Sequence, residues 1–181
     1  YADVSPKEWY YDYVNSATEL GLFDGVGGGK FEPDGSLTRA QFVTVLSRIA
    51  GADVSKYNTA KFKDVSSKAW YYHAVAWASA TGITSGVSAT SFAPEDALSR
   101  EMLCTMLTRF AKTINKPLPA GDISQYKDAT SISKWARAGV GACSKAGIVA
   151  GVGGGRFDPS ATATRAQGAK ILSIYYTDFM K

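Results

Sequence analysis

Apolar side chains recur at helical spacing in six stretches of this chain, and the six fall into three pairs. In the first stretch Trp9, Tyr10, Tyr13, Val14, Ala17 and Leu20 share one face of a helix. Asp3 and Ser5 stand where a cap would accept first-turn amides, Pro6 suits a first helical position, and Gly21 supplies a left-handed stop. The spacing therefore predicts a helix from about Pro6 to Leu20. A second stripe, Phe42, Val45, Leu46 and Ile49, follows at i, i+3, i+4 and i+7. Thr38 opens it, Gln41 can reach back to the cap amide in a capping box, and Gly51 closes it.

Between the two stripes lies Phe23-Asp24-Gly25-Val26-Gly27-Gly28-Gly29-Lys30-Phe31-Glu32-Pro33-Asp34, too polar and glycine-rich for a helix. Its glycines permit sharp turns and close approach of another molecule to the backbone, or a turn that binds nothing. A phosphate-cradling loop is excluded, because Lys30 is followed by Phe31 and not by the Ser or Thr that opens a helix.

This whole pattern is written three times. Leu37-Thr38-Arg39-Ala40-Gln41-Phe42 returns as Leu98-Ser99-Arg100-Glu101-Met102-Leu103 and as Ala163-Thr164-Arg165-Ala166-Gln167-Gly168. Phe31/Pro33, Phe92/Pro94 and Phe157/Pro159 keep step with it, as do Gly21, Gly82 and Gly147, and Trp9, Trp70 and Trp135. The first helix of the second copy carries Trp70, Tyr71, Ala74, Val75 and Ala78, and its second helix Leu103, Met106, Leu107 and Phe110. The third copy uses Trp135, Gly139, Val140 and Cys143, then Ile171, Leu172 and Tyr175. Small residues at 136–142 predict a closer helix contact there than elsewhere.

The second copy has drifted in its loop, where Ser88-Ala89-Thr90-Ser91 replaces Gly27-Gly28-Gly29-Lys30 and Met102 replaces the capping-box glutamine. Any site built on that loop is expected to be altered or weaker. The third loop, Gly151 to Pro159, nearly copies the first. The repeats span residues 1–51, 62–111 and 126–181, with connectors at 52–61 and 112–125, the latter extended around Pro117 and Pro119. Units of this size are marginal alone, so one cooperative domain of three modules is expected.

Composition narrows the function. With 45% hydrophobic residues and four tryptophans the 181-residue chain can bury a core. A net charge of +4 favours an anionic partner, but no run of like charges argues for nucleic acid. No stretch is long and apolar enough to span a bilayer, and none resembles a signal peptide. The chain begins inside a repeat, so an excised or processed piece of a longer protein is expected. Cys104 and Cys143 cannot form a zinc framework; they read as buried small hydrophobes, with a disulfide left open. No metal-ligand spacing appears and no cofactor is implied. His73, the one histidine, has no equivalent in the other copies, so a catalytic triad is not expected and the chain reads as a non-enzyme.

The Asp-Val start, Trp-Tyr, Gly-Val-Gly-Gly, Phe-x-Pro and Thr-Arg-Ala-Gln, in register and in triplicate, resemble the S-layer homology (SLH) domain. The resemblance implies an all-α fold of three helix-loop-helix repeats with pseudo-threefold symmetry and ligand grooves between adjacent repeats. It also implies a secreted module of the bacterial cell wall or S-layer, which binds secondary cell-wall polysaccharide bearing a pyruvate ketal on N-acetylmannosamine. The family's binding arginine maps onto Arg39, Arg100 and Arg165, its aspartate onto Asp3, Asp64 and Asp128, its tryptophan onto Trp9, Trp70 and Trp135, and its loop glycines onto Gly27 and Gly153. The second copy matches the loop only at Gly86 and has Glu101 where the motif has alanine, which puts the groove on that loop in doubt.

Each candidate has a structural alternative. Arginine's planar fork suits a carboxylate bidentately, yet each arginine also lies at a helix's positive end, where a cation asks for some compensating partner, a nearby carboxylate included. The tryptophans suit a sugar face or a core anchor; the aspartates suit sugar hydroxyls or helix caps. Other surface-layer subunits, bound through the same grooves in a protein-interaction or self-assembly role, are the competing partner class, and a small glycan hydrolase is a third.

Overall fold

A computed structural model describes residues 1–181. The chain is all-α, with no β-strand: α1 (Tyr11–Glu19), α2 (Arg39–Ile49), α3 (Tyr72–Ala80), α4 (Arg100–Thr113), α5 (Arg137–Lys145) and α6 (Arg165–Tyr175).

The first helix of each repeat starts later than its apolar spacing predicts. Residues 6–10 form turns, α1 begins at Tyr11, and its N-cap, Tyr10, makes no side-chain capping bond. Asp3 is unavailable as a cap because both its oxygens are taken by the distant amides of Phe31 and Glu32. The second helices follow expectation. Thr38 Oγ1 accepts from the Gln41 amide while Gln41 Oε1 accepts from the Thr38 amide, and Thr164 and Gln167 repeat the box. In α4 only the Ser99 half survives, accepting from the Met102 amide at 3.3 Å.

The principal helix contacts run between repeats: α2 packs on α3, α4 on α5, and α6 on α1. A repeat thus finds the partner for its apolar stripe in its neighbour. The α4–α5 contact is close for the reason the small residues suggested. A Cβ on Gly139 would lie 2.9 Å from Thr105 Cα and 3.0 Å from the Cys104 carbonyl oxygen. Cys104 and Cys143 are both free and buried at this contact.

Three short segments before the second helices meet at the centre. Leu37 N–H donates to the Ala163 carbonyl, Ala163 N–H to the Leu98 carbonyl and Leu98 N–H to the Leu37 carbonyl, at 2.8–2.9 Å, closing a ring. Around that ring one core cluster of 46 buried residues draws on all three repeats, with Phe31, Phe92 and Phe157 wholly enclosed. Each such phenylalanine contributes about 1.5–3 kcal/mol by leaving water.

Three grooves shared between repeats

The site is assembled from one device used three times. Asp3 accepts from the amides of Phe31 and Glu32 at 2.9 and 2.8 Å, and Asp128 from those of Phe157 and Asp158 at 2.8 Å each. Asp64 grips Phe92 and Ala93 likewise and takes a third bond from the Ser91 hydroxyl at 2.6 Å. The amides of Phe31 and Glu32 hold the Asp3 carboxyl below its usual pKa. Burial pushes Asp64 and Asp128 the other way, but the bonds they accept outweigh it and both also sit below the usual value.

The clamp holds an uncommon backbone. Glu32, Ala93 and Asp158, each ahead of a proline, have φ of 56°, 55° and 58°, a left-handed conformation that costs a non-glycine residue energy and survives only where its surroundings fix it. So held, the loop turns the preceding phenylalanine carbonyl toward the arginine of another repeat. Arg39 Nε donates to the Phe92 carbonyl at 2.7 Å, Arg100 Nε to Phe157 at 2.9 Å, and Arg165 Nε to Phe31 at 2.7 Å. The guanidinium carbons lie 4.5–4.8 Å from the centroids of the same three rings, within the range of a cation–π contact.

These carbonyls and rings are the compensating partners that a cation at a helix N-terminus demands. None of the three arginines forms an ion pair with a carboxylate. The main-chain amides beside them are used too: Arg39 and Ala40 donate to the carbonyls of Asp96 and Pro94, Arg100 and Glu101 to Ala161 and Pro159, Arg165 and Ala166 to Gly35 and Pro33. All three side chains are buried, and burial, the largest influence, lowers each guanidinium's pKa from its usual value. Arginine's usual value is so high that they stay charged at neutral pH.

Each arginine emerges at the floor of a groove to which all three repeats contribute. The groove entered by Arg39, about 400 Å³, has the second loop (Thr84 to Val87) and α4 as walls and Trp135 across from them. The groove entered by Arg165, about 220 Å³, uses the first loop (Leu22 to Gly25), α2 and Trp70. The groove entered by Arg100, about 350 Å³, uses the third loop (Ile148 to Val152), α6 and Trp9. One repeat gives the arginine, the next the loop and second helix, and the one after that the tryptophan.

The tryptophans are not core anchors. Trp9, Trp70 and Trp135 are 54%, 65% and 52% exposed, and their neighbours Tyr10, Tyr71 and Ala136 fill the core instead. The aspartates act neither as caps of the first helices nor as groove walls, since their oxygens face the loop backbone. Gly27 and Gly153 sit in tight turns closed by the bridges Gly27–Lys30 and Gly153–Arg156. The glycines that line the grooves are Gly25, Gly86 and Gly151. A Cβ at Gly25 would meet the Lys30 carbonyl at 2.6 Å, and one at Gly151 the Arg156 carbonyl at 2.6 Å.

Sequence reasoning missed a second cation in every groove: Arg109 beside Arg39, Arg48 beside Arg165, and Lys170 beside Arg100. Arg48 and Arg109 share one register and could have been found by it. Lys170 lies on a different step of its helix, its Nζ 5.6 Å from the Trp9 ring and 5.5 Å from Tyr13.

These features define a helical repeat module whose three cation-bearing grooves lie where the repeats join. The sequence profile of the S-layer homology domain matches residues 1–43, 61–101 and 125–169, and the chain belongs to that family. An endoglucanase of Bacillus sp. (strain KSM-635) is 30% identical over 100% of this chain, which covers 20% of the enzyme. The surface-layer 125 kDa protein of Lysinibacillus sphaericus is 30% identical over 88% of the chain, which covers 13% of that protein. A cellulosome-anchoring protein of Acetivibrio thermocellus is 24% identical over 82% of the chain, covering 34% of its length. The chain therefore spans only a minor part of these relatives. Such domains anchor proteins at the cell surface, and the place of this chain is the bacterial cell wall or surface layer.

Proposed function

We propose that this chain is a non-catalytic anchor which binds anionic secondary cell-wall polysaccharide, carrying pyruvate ketals on N-acetylmannosamine, in its inter-repeat grooves. The observation that carries the reading is the common make-up of the three grooves. Each sets a buried arginine with donors left over, a second cation and an exposed indole around one cleft. A carboxylate takes the guanidinium edge in charge-assisted bonds, and the sugar ring packs its apolar face on the indole. Arg39, Arg100 and Arg165 grip the acid; Trp9, Trp70 and Trp135 carry the ring. Asp3, Asp64 and Asp128, with Gly27 and Gly153, shape the loop that meets the ligand. The enzyme relative shares this module as a small part of its length, in keeping with an anchor joined to varied cargo.

The test is retention on purified, protein-free wall polysaccharide before and after its carboxylates are reduced to alcohols. Retention on the native polymer only is expected, together with loss in the triple variant Trp9→Ala, Trp70→Ala, Trp135→Ala, whose positions are exposed and whose helicity should be unchanged. Equal retention on the reduced polymer would refute the acidic-sugar reading. Binding to surface-layer subunits without binding to polysaccharide would favour an assembly module instead.

A further inference from the structure

The three grooves differ in how far the chain has already satisfied their cations. In the Arg165 groove, Asp24 engages both guanidiniums. Its carbonyl accepts from Arg165 Nη2 at 2.8 Å, and its carboxylate pairs with Arg48 Nη2 at 2.5 Å. Arg48 Nη1 is also used, donating to the Leu22 carbonyl at 3.0 Å. This is the smallest groove, about 220 Å³.

In the Arg39 groove, Ser85 stands where Asp24 stands in the first loop, and no acidic residue lines the cleft. Arg39 spends Nε on the Phe92 carbonyl; Nη1 meets only the Met102 sulfur at 3.9 Å, and Nη2 has no protein partner. Arg109 is exposed and pairs with no carboxylate. This is the largest groove, about 400 Å³. The Arg100 groove is intermediate: Arg100 Nη2 is taken by the Ala150 carbonyl at 2.7 Å, but no acid faces Lys170.

We propose that the Arg39–Arg109 groove is the dominant carboxylate site of this chain, and that Asp24 is an internal competitor which weakens the Arg165 groove toward the same ligand. This rests on the reading of the grooves as sites for acidic sugar. An arriving carboxylate finds two guanidiniums whose Nη groups no protein oxygen engages in the first case and must displace a resident carboxylate in the second. Asp24 is 73% exposed at its side chain, so its competition is screened by water and is worth a few-fold, not orders of magnitude. The loop whose drift promised a weaker site thus builds the stronger one.

Each groove contains its own tryptophan, so indole N–H signals in ¹⁵N NMR report the three separately, with buried Trp77 as an internal control. The whole chain is titrated with N-acetylmannosamine bearing a pyruvate ketal, and with the same sugar lacking it. The Trp135 signal is expected to move at the lowest concentration, Trp9 next and Trp70 last, with no movement for the neutral sugar. Arg109→Gln should shift the Trp135 curve to about tenfold higher concentration, which is about 1.4 kcal/mol. Asp24→Asn should bring the Trp70 curve about threefold lower. Both positions are exposed, so neither variant threatens the fold. If the three indoles respond together, or if Asp24→Asn leaves Trp70 unmoved, the ranking of grooves is wrong while the acidic-sugar reading stands. If no indole responds to the ketal sugar, the reading and the ranking fall together.

Discussion

The second loop and its two counterparts have different sequences at the tip and the same frame at the base. In the first and third loops the turn is made by glycines with positive φ, Gly27 to Gly29 and Gly153 to Gly155. In the second, none of residues 88–90 has positive φ; Gly86 does, at 87°, and the Ser88 hydroxyl closes the turn by accepting from the Ser91 and Thr90 amides at 3.0 and 3.3 Å. At the base the clamp and the arginine contact are kept. Asp64 clamps Phe92 as Asp3 clamps Phe31, and the arginine of another repeat donates to the phenylalanine carbonyl in both. The joint between repeats tolerates little, because its polar groups are buried and must be paired. The tip is exposed and can vary, and with it the number of arginine donors left for a ligand.

If the frame is common, truncating its enclosed phenylalanine should cost the same wherever it is done. Phe31→Ala, Phe92→Ala and Phe157→Ala are each expected to destabilise by about 3–5 kcal/mol, measured by denaturant unfolding in a single cooperative transition. That is a large share of the roughly 5–15 kcal/mol of a typical domain. A distinctly smaller loss for Phe92→Ala would show that the drifted repeat does not share the frame.

The arginines should then separate where the phenylalanines do not. Arg165→Ala removes two bonds to carbonyls and contacts with two rings, Phe31 and Phe23; Arg39→Ala removes one such bond and one ring contact. Losses of about 2–3 and about 1–2 kcal/mol follow, read from the same unfolding curves. Alanine at these positions therefore tests binding only beside a stability measurement. Equal losses would mean that neither the second donor of Arg165 nor its Phe23 contact contributes to the joint.

Acid should loosen all three joints. The amides of Phe31 and Glu32 depress the Asp3 carboxyl, and accepted bonds do the same for Asp64 and Asp128 against the opposing push of burial. A depressed folded-state pKa favours the native state above the unfolded value near 4, and that advantage is lost as the pH falls through and below it. The unfolding midpoint is expected to be flat from pH 7 to about 5 and to fall below about pH 4. In the triple variant Asp3→Asn, Asp64→Asn, Asp128→Asn the pH 7 midpoint should be lower and the acid limb shallower. An unchanged acid limb would assign the transition to other carboxylates.

What could be read from the sequence was whatever depends on spacing alone. The repeats, the apolar stripes of the second helices, the capping boxes at Thr38 and Thr164 and the close contact at Gly139 are local or periodic, and each appears as expected. What could not be read depends on partners far along the chain. Spacing offers Asp3 the nearest free amides or a sugar hydroxyl, but its partners are the amides of Phe31 and Glu32. Arg39 was set between a ligand and a neighbouring carboxylate, yet its first partner is the Phe92 carbonyl in another repeat. Trp9 and Tyr10 share an apolar stripe, and only the turn before α1 decides that Tyr10 goes inward and Trp9 outward.

The smallest predicted effect tests the comparison most directly. Replacing Ser88-Ala89-Thr90 with three glycines should let the second tip follow the path of the other two. The Ser88 hydroxyl cap is lost and the unfolded chain gains freedom, at about 0.4–1 kcal/mol for each alanine-to-glycine type of change; glycine's unstrained access to the positive φ of the other two tips offsets part of this. A net loss of about 1 kcal/mol is expected. With the tip re-formed, the Ser85 carbonyl comes to the position from which Asp24 and Ala150 accept a second arginine donor. The Arg39 Nη protons should then exchange more slowly with water in ¹⁵N NMR, and the Trp135 titration should move to higher ligand concentration. Unchanged exchange with a loss of several kcal/mol would mean that the tip residues support the joint itself, and the division between frame and tip would fail.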